Sequence, residues 1–94
     1  MKLKDVLKNI DLIEARGDIE VDITNITSDS RNIKIGGLFF AINGYTVDGT
    51  KYISYAVENG AVAVVIENTT DLSSLKIPEN TTIIIVKNIR YCLA

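Results

Sequence analysis

No histidine occurs in the chain's 94 residues, and cysteine and proline occur once each. Without histidine the chain alone cannot assemble a Ser-His-Asp or Cys-His catalytic group, nor a histidine-ligated zinc site. A single cysteine, Cys92, allows neither an intrachain disulfide nor a thiolate zinc cluster, and reads as a small buried hydrophobe. Basic excess is also missing: Lys plus Arg is 10, Asp plus Glu is 12, and the net charge is −2. Sequence-independent nucleic-acid binding needs a basic surface, so nucleic acid is not an expected partner. The longest apolar run, residues 60–66, is far short of the roughly 20 residues of a membrane helix. The start, Met1-Lys2-Leu3-Lys4-Asp5, lacks the apolar stretch of a signal peptide. A membrane partner is therefore not expected either, and the expected compartment is the cytoplasm. Glycosylation sequons at Asn25, Asn68 and Asn80 then read as turn and strand residues.

What is present is globular: 47% of residues are hydrophobic and 23% charged. Ordering a chain costs on the order of 1.5 kcal/mol per residue, so the apolar half must be buried in one core. The length suits one domain. Leu3, Val6, Leu7 and Ile10 repeat at helical spacing and predict a helix over residues 2–9. Residues 11–16 and 19–21 read as extended segments around a Gly17-Asp18 turn, and the β-branched stretch 21–27 as strand. Gly36-Gly37 marks a turn. Residues 38–42, 61–67 and 82–86 are apolar runs of the kind expected for strands buried on both faces. Between the first two, Thr50 is a plausible N-cap for a helix over residues 51–59, with Ile53, Ala56 and Val57 inward and Gly60 as its stop. Residues 68–80 are polar, hold the only proline, and read as a surface connection.

This order predicts an α/β fold, a small three-layer domain with a mixed, largely parallel sheet flanked by helices. Such sheets bind ligands in loops beyond the carboxyl ends of their strands. Two loops qualify. Thr27-Ser28-Asp29-Ser30-Arg31 carries hydroxyls and a carboxylate suited to a ribose or base edge, and an arginine suited to a carboxylate or phosphate. The plainer reading is a turn whose Asp and Ser bond nearby backbone. Gly44-Tyr45-Thr46-Val47-Asp48-Gly49 offers a stacking face, donors, and glycines that allow close backbone approach. It is not a Walker phosphate loop, and Asp48-Gly49 alone is equally a turn before a helix.

The ordered set Thr27-Ser28-Asp29-Ser30-Arg31, Gly37-Leu38-Phe39-Phe40-Ala41-Ile42-Asn43-Gly44, Asp48-Gly49, Tyr52-Ile53, Ala56 and Gly60-Ala61-Val62-Ala63-Val64-Val65 resembles the amino-terminal domain of the Mur ligases. The resemblance implies a domain that holds the UDP portion of UDP-N-acetylmuramoyl-L-alanyl-D-glutamate, in a ligase that adds the third amino acid in peptidoglycan synthesis. By position it implies substrate contacts from Ser28, Ser30, Gly44, Tyr45, Thr46, Val47 and Asp48, supported by Asp29, Arg31 and Gly49. It implies no catalytic residue, metal or cofactor in this chain. ATP and Mg2+ would belong to the full-length enzyme, in central and carboxyl-terminal domains absent here. Partners would be the UDP-N-acetylmuramoyl-dipeptide and those missing domains.

Two departures stand out: Ile35-Gly36-Gly37 where the family often has Pro-Gly-Asp, and Thr50 where a His often follows Asp-Gly. Asn88, Ile89, Cys92 and Leu93 read as the start of a helix cut after about one and a half turns, the expectation for a piece of a longer protein. The alternatives are the branch of the family that adds D-alanyl-D-alanine, and a stand-alone nucleotide-sensing or interaction module of similar fold.

Overall fold

Continuous apolar runs are satisfied only by burial on both faces, and three such runs form the centre of the molecule. The computed structural model describes residues 1–41, 52–68, 77–87 and 89. The elements run α1 (Leu3–Leu7), β1 (Leu12–Arg16), β2 (Ile26–Thr27), a 3-10 turn (Ser30–Asn32), β3 (Leu38–Phe40), α2 (Ile53–Glu58), β4 (Ala63–Glu67) and β5 (Thr82–Val86). One five-stranded sheet has the order β1-β5-β4-β3-β2. β2, β3, β4 and β5 are mutually parallel, and only the edge strand β1 runs antiparallel, against β5. The sheet is thus mixed and largely parallel, as the element order predicts.

Alternation along the strands divides the core into two layers. Leu38, Phe40, Ala63, Val65, Ile84 and Val86 face α1 and pack with its Leu3 and Leu7 and with Ile23 and Ile89. Phe39, Ala41, Val64 and Ile66 face α2 and pack with its Ile53 and Ala56 and with Ile33 and Ala61. Helix, sheet and helix are the three layers. Val57 adds partly buried surface on the α2 side, and Gly60 ends that helix with φ +114°. No helix among the described residues is long and apolar enough to cross a membrane.

Several boundaries differ from the sequence reading. α1 and α2 are each shorter than the periodicity suggests, because helix ends lack intrahelical partners. Tyr52 stands at the N-cap position of α2 without a side-chain cap bond, and Thr50 lies outside the described residues. Residues 19–21 are not a strand. Their carbonyls are taken instead by the start of α1: Leu3 N–H donates to the Val21 oxygen at 2.9 Å and Lys4 N–H to the Ile19 oxygen at 2.8 Å. The segment thus serves the donors that a helix start leaves unpaired, replacing a side-chain cap. Strand pairing in the stretch 21–27 is confined to Ile26 and Thr27, apart from a single bridge between Asp22 and Lys2.

The paired glycines serve different needs. Gly36 has φ +86°, a backbone angle that side chains with a Cβ resist. Gly37 has no such angle but no space: a Cβ there would lie 2.4 Å from Asn25 Oδ1, 2.6 Å from Ile33 Cδ1 and 2.9 Å from the Lys34 oxygen.

Candidate functional site

Parallel pairing puts the carboxyl ends of β2, β3, β4 and β5 on one edge of the sheet. The turn after Thr27 therefore shares an edge with the exits of the three buried strands. This is where open α/β sheets hold ligands.

The turn is built by its own side chains. Asp29 caps the 3-10 turn, its Oδ1 accepting from the Arg31 backbone N–H at 2.9 Å. The Arg31 guanidinium closes back on the same carboxylate, Nε to Oδ1 at 3.0 Å and Nη2 to Oδ2 at 2.8 Å. This two-point pairing fixes the plane of an exposed arginine. Thr27 Oγ1 accepts from the Asp29 N–H at 3.0 Å, tying the turn to the end of β2. The hydrogen bonds from the Arg31 side chain and backbone hold the Asp29 carboxyl below its ordinary value. The same side-chain bond, with the charge of Asp29, raises Arg31. Both groups are thus charged at neutral pH.

Ser28 is exposed and Ser30 is buried. The two serines singled out by the resemblance therefore stand differently: Ser28 is open to solvent, and Ser30 is enclosed where the 3-10 turn meets α2. The turn reading and the ligand reading of 27–31 are compatible, because the internal bonds leave Ser28 exposed. Gly44, Tyr45, Thr46, Val47, Asp48 and Gly49 lie outside the described residues, as do Asn88, Cys92 and Leu93.

Asn25 reads in the sequence only as a turn or strand residue, with no role at the site. Its Nδ2 donates to the Asn32 oxygen at 3.1 Å, and its Oδ1 accepts from the Lys34 N–H at 3.3 Å. It therefore braces the far side of the turn from the strand leading into it. Its oxygen is also the nearest atom to the space that Gly37 leaves empty. The only signal in the sequence was a polar residue inside a β-branched stretch. Among the described residues, no group of three His, Cys, Asp or Glu side chains gathers to hold a metal ion.

Comparison with known proteins agrees with this architecture. Residues 22–92 match the model of the Mur ligase family, catalytic domain. The chain is 46% identical over all its 94 residues to the UDP-N-acetylmuramoyl-L-alanyl-D-glutamate--2,6-diaminopimelate ligase of Clostridium tetani, covering 19% of that protein. Among solved structures, the UDP-N-acetylmuramoylalanyl-D-glutamyl-2,6-diaminopimelate--D-alanyl-D-alanyl ligase of Acinetobacter baumannii superposes with a TM-score of 0.75 at 19% identity. That match covers 98% of this chain and 19% of the other. The MurF ligase of Thermotoga maritima, solved in complex with ADP, superposes with a TM-score of 0.55 at 28% identity, over 73% of this chain and 14% of its own. The chain thus spans about a fifth of the length of the first relatives it matches. The structural likeness at 19% identity shows the fold. The family match over residues 22–92 takes in most of the chain, and the chain belongs to the Mur ligase family.

Proposed function

We propose that this chain is the amino-terminal, UDP-holding domain of an ATP-dependent ligase that adds the third amino acid to UDP-N-acetylmuramoyl-L-alanyl-D-glutamate. The observation that carries the reading is the 46% identity, over the whole of this chain and 19% of the relative, to a protein named for 2,6-diaminopimelate addition. The same relative makes diaminopimelate the amino acid of choice. The rival branch, D-alanyl-D-alanine addition, is represented by fold neighbours at lower identity. The cytoplasm is the compartment this reading requires, since its nucleotide precursor is made there.

The site chemistry supports a nucleotide. Uracil presents one imide N–H and two carbonyls, which fixed loop groups can meet in a complementary pattern. Ser28 supplies a hydroxyl that donates or accepts as a ribose or diphosphate requires. Asp29 holds the Arg31 fork in one orientation at the rim. Ser30 is enclosed at the 3-10 turn. By the family resemblance, Gly44, Tyr45, Thr46, Val47 and Asp48, which follow β3 in the sequence, would add further contacts, with Gly49 in support.

ATP and Mg2+ would act in the whole enzyme. The chain contains no Gly-Lys-Ser/Thr phosphate loop, and its described acids do not cluster. No step is therefore derived through either of them on these residues.

Chemical-shift titration with UDP and with ADP tests the reading. The expected result is a UDP response clustered at residues 28–31 and 44–48, with ADP weaker. A dissociation constant in the sub-millimolar to millimolar range corresponds to about 4 to 6 kcal/mol. Ser28→Ala and Ser30→Ala should each weaken binding by about 1 kcal/mol. An equal response to both nucleotides, or shifts elsewhere, would overturn the assignment.

A further inference from the structure

Asn59-Gly60 is the one Asn-Gly step among the described residues. In such a step the backbone nitrogen of the glycine can attack the asparagine side chain with little hindrance, because glycine carries no Cβ. Asn59 is exposed, immediately after the last residue of α2. Its environment nonetheless opposes the reaction in three ways.

First, Asn59 has ψ 3°, which places the Gly60 nitrogen beside the Asn59 backbone nitrogen instead of beside Cβ. Ring closure needs rotation about the Asn59 Cα–C bond. Second, the attacking nitrogen is engaged: Gly60 N–H donates to the Val57 oxygen at 3.1 Å. Third, the other side of Gly60 is held as well. Its oxygen accepts from the Gly36 N–H at 2.8 Å, and its Cα faces Ile35, whose own Cα would lie 2.6 Å from an added Cβ. Rotation therefore breaks two backbone bonds and presses on the turn before β3.

We propose that Asn59 is a deamidation and isomerisation site that the end of α2 holds shut, and that fraying of that end opens it. In the opened state the Gly60 nitrogen gives up its proton and bonds to Asn59 Cγ. The Cγ–NH2 bond breaks, and the amide leaves with that proton as ammonia. The resulting cyclic imide takes up one solvent water at either carbonyl, giving aspartate or isoaspartate, with no change of oxidation state.

The isoaspartate product cannot return to the native arrangement. It lengthens the backbone by one methylene where Ile35 leaves no space, and it puts a carboxylate at the negative end of α2. The bond between Gly36 and Gly60 is then lost. The neighbouring Gly37 packs against Asn25, so the damage reaches the brace of the 27–31 turn.

The test compares the chain in mildly alkaline native buffer with the chain in concentrated guanidinium chloride, by tryptic peptide mass spectrometry over time. Cleavage at Lys51 and Lys76 puts Asn59 on a different peptide from Asn43, and fragment ions separate it from Asn68. Conversion at Asn59 should be slower in the native chain by about tenfold or more, since it waits on local opening. An Asn59→Gln chain, which would need a larger ring, should show no conversion at that position. Native and denatured rates within about twofold of each other would overturn the proposal.

Discussion

Gly37→Ala tests the packing at the entrance to β3. The added methyl meets three atoms within 3 Å. Two are ends of side chains, Asn25 Oδ1 and Ile33 Cδ1, and can move. The third, the Lys34 oxygen, is backbone and accepts the Gly37 N–H at 2.9 Å, so it is held close. Overpacking of this kind costs about 1–3 kcal/mol. Displacing Asn25 also weakens its bonds to Asn32 and Lys34, each with a net worth of about 1 kcal/mol. Against this, alanine restricts the unfolded chain and returns about 0.4–1 kcal/mol. The balance is a loss of about 2–3 kcal/mol, read as a lower denaturation midpoint at unchanged slope. An Asn25→Ala partner variant sharpens the test. Removing Oδ1 relieves the closest contact, so the double variant should lose less than the two single losses combined. A Gly37→Ala chain within about 0.5 kcal/mol of the parent, or strict additivity with Asn25→Ala, would refute the reasoning.

Three further outcomes are expected. The lowered Asp29 carboxyl stabilises the fold above its unfolded value, near pH 3.9, and that contribution is lost as pH falls through the folded value. Melting curves of Asp29→Asn and parent should therefore converge on acidification below about pH 4, and a constant gap would contradict the pairing. Thr82→Val removes the buried hydroxyl that donates to the Asp18 oxygen at 2.7 Å, and should cost about 1 kcal/mol in urea unfolding. The purified chain should turn over no ATP, because it carries no Gly-Lys-Ser/Thr loop; a phosphate-release assay whose signal disappears on substitution within this chain would contradict that.

The strands β3, β4 and β5 were legible because burial on both faces leaves an unbroken apolar run, and chain order then implied the parallel crossover through α2. The 27–31 turn was legible as a break in a β-branched stretch. The bonds that shape it were not. Asp29 pairing with Arg31 two residues on is a matter of rotamers, and Asn25 acts across seven residues to Asn32. The role of 19–21 was hidden for a similar reason. The stretch reads as extended, but its carbonyls are claimed by a helix start more than a dozen residues away in sequence. Ser28 and Ser30 look alike in the sequence, and only packing against α2 separates the exposed hydroxyl from the enclosed one.

The antiparallel edge strand has a consequence for how the chain reaches this fold. Residues of β1 find their partners only in β5: Arg16 opposite Ile83, and Leu12 opposite Val86. The β3–α2–β4 unit, by contrast, closes over a short stretch and can form early. Joining β1 to β5 closes a loop of most of the chain, whose entropy must be met before the pairing is gained. During synthesis β1 leaves the ribosome well before its partner strand and is thus among the last elements to be seated. Until β5 arrives, the backbone groups of β1 have no strand to pair with, and this stretch is where early aggregation or chaperone capture would concentrate.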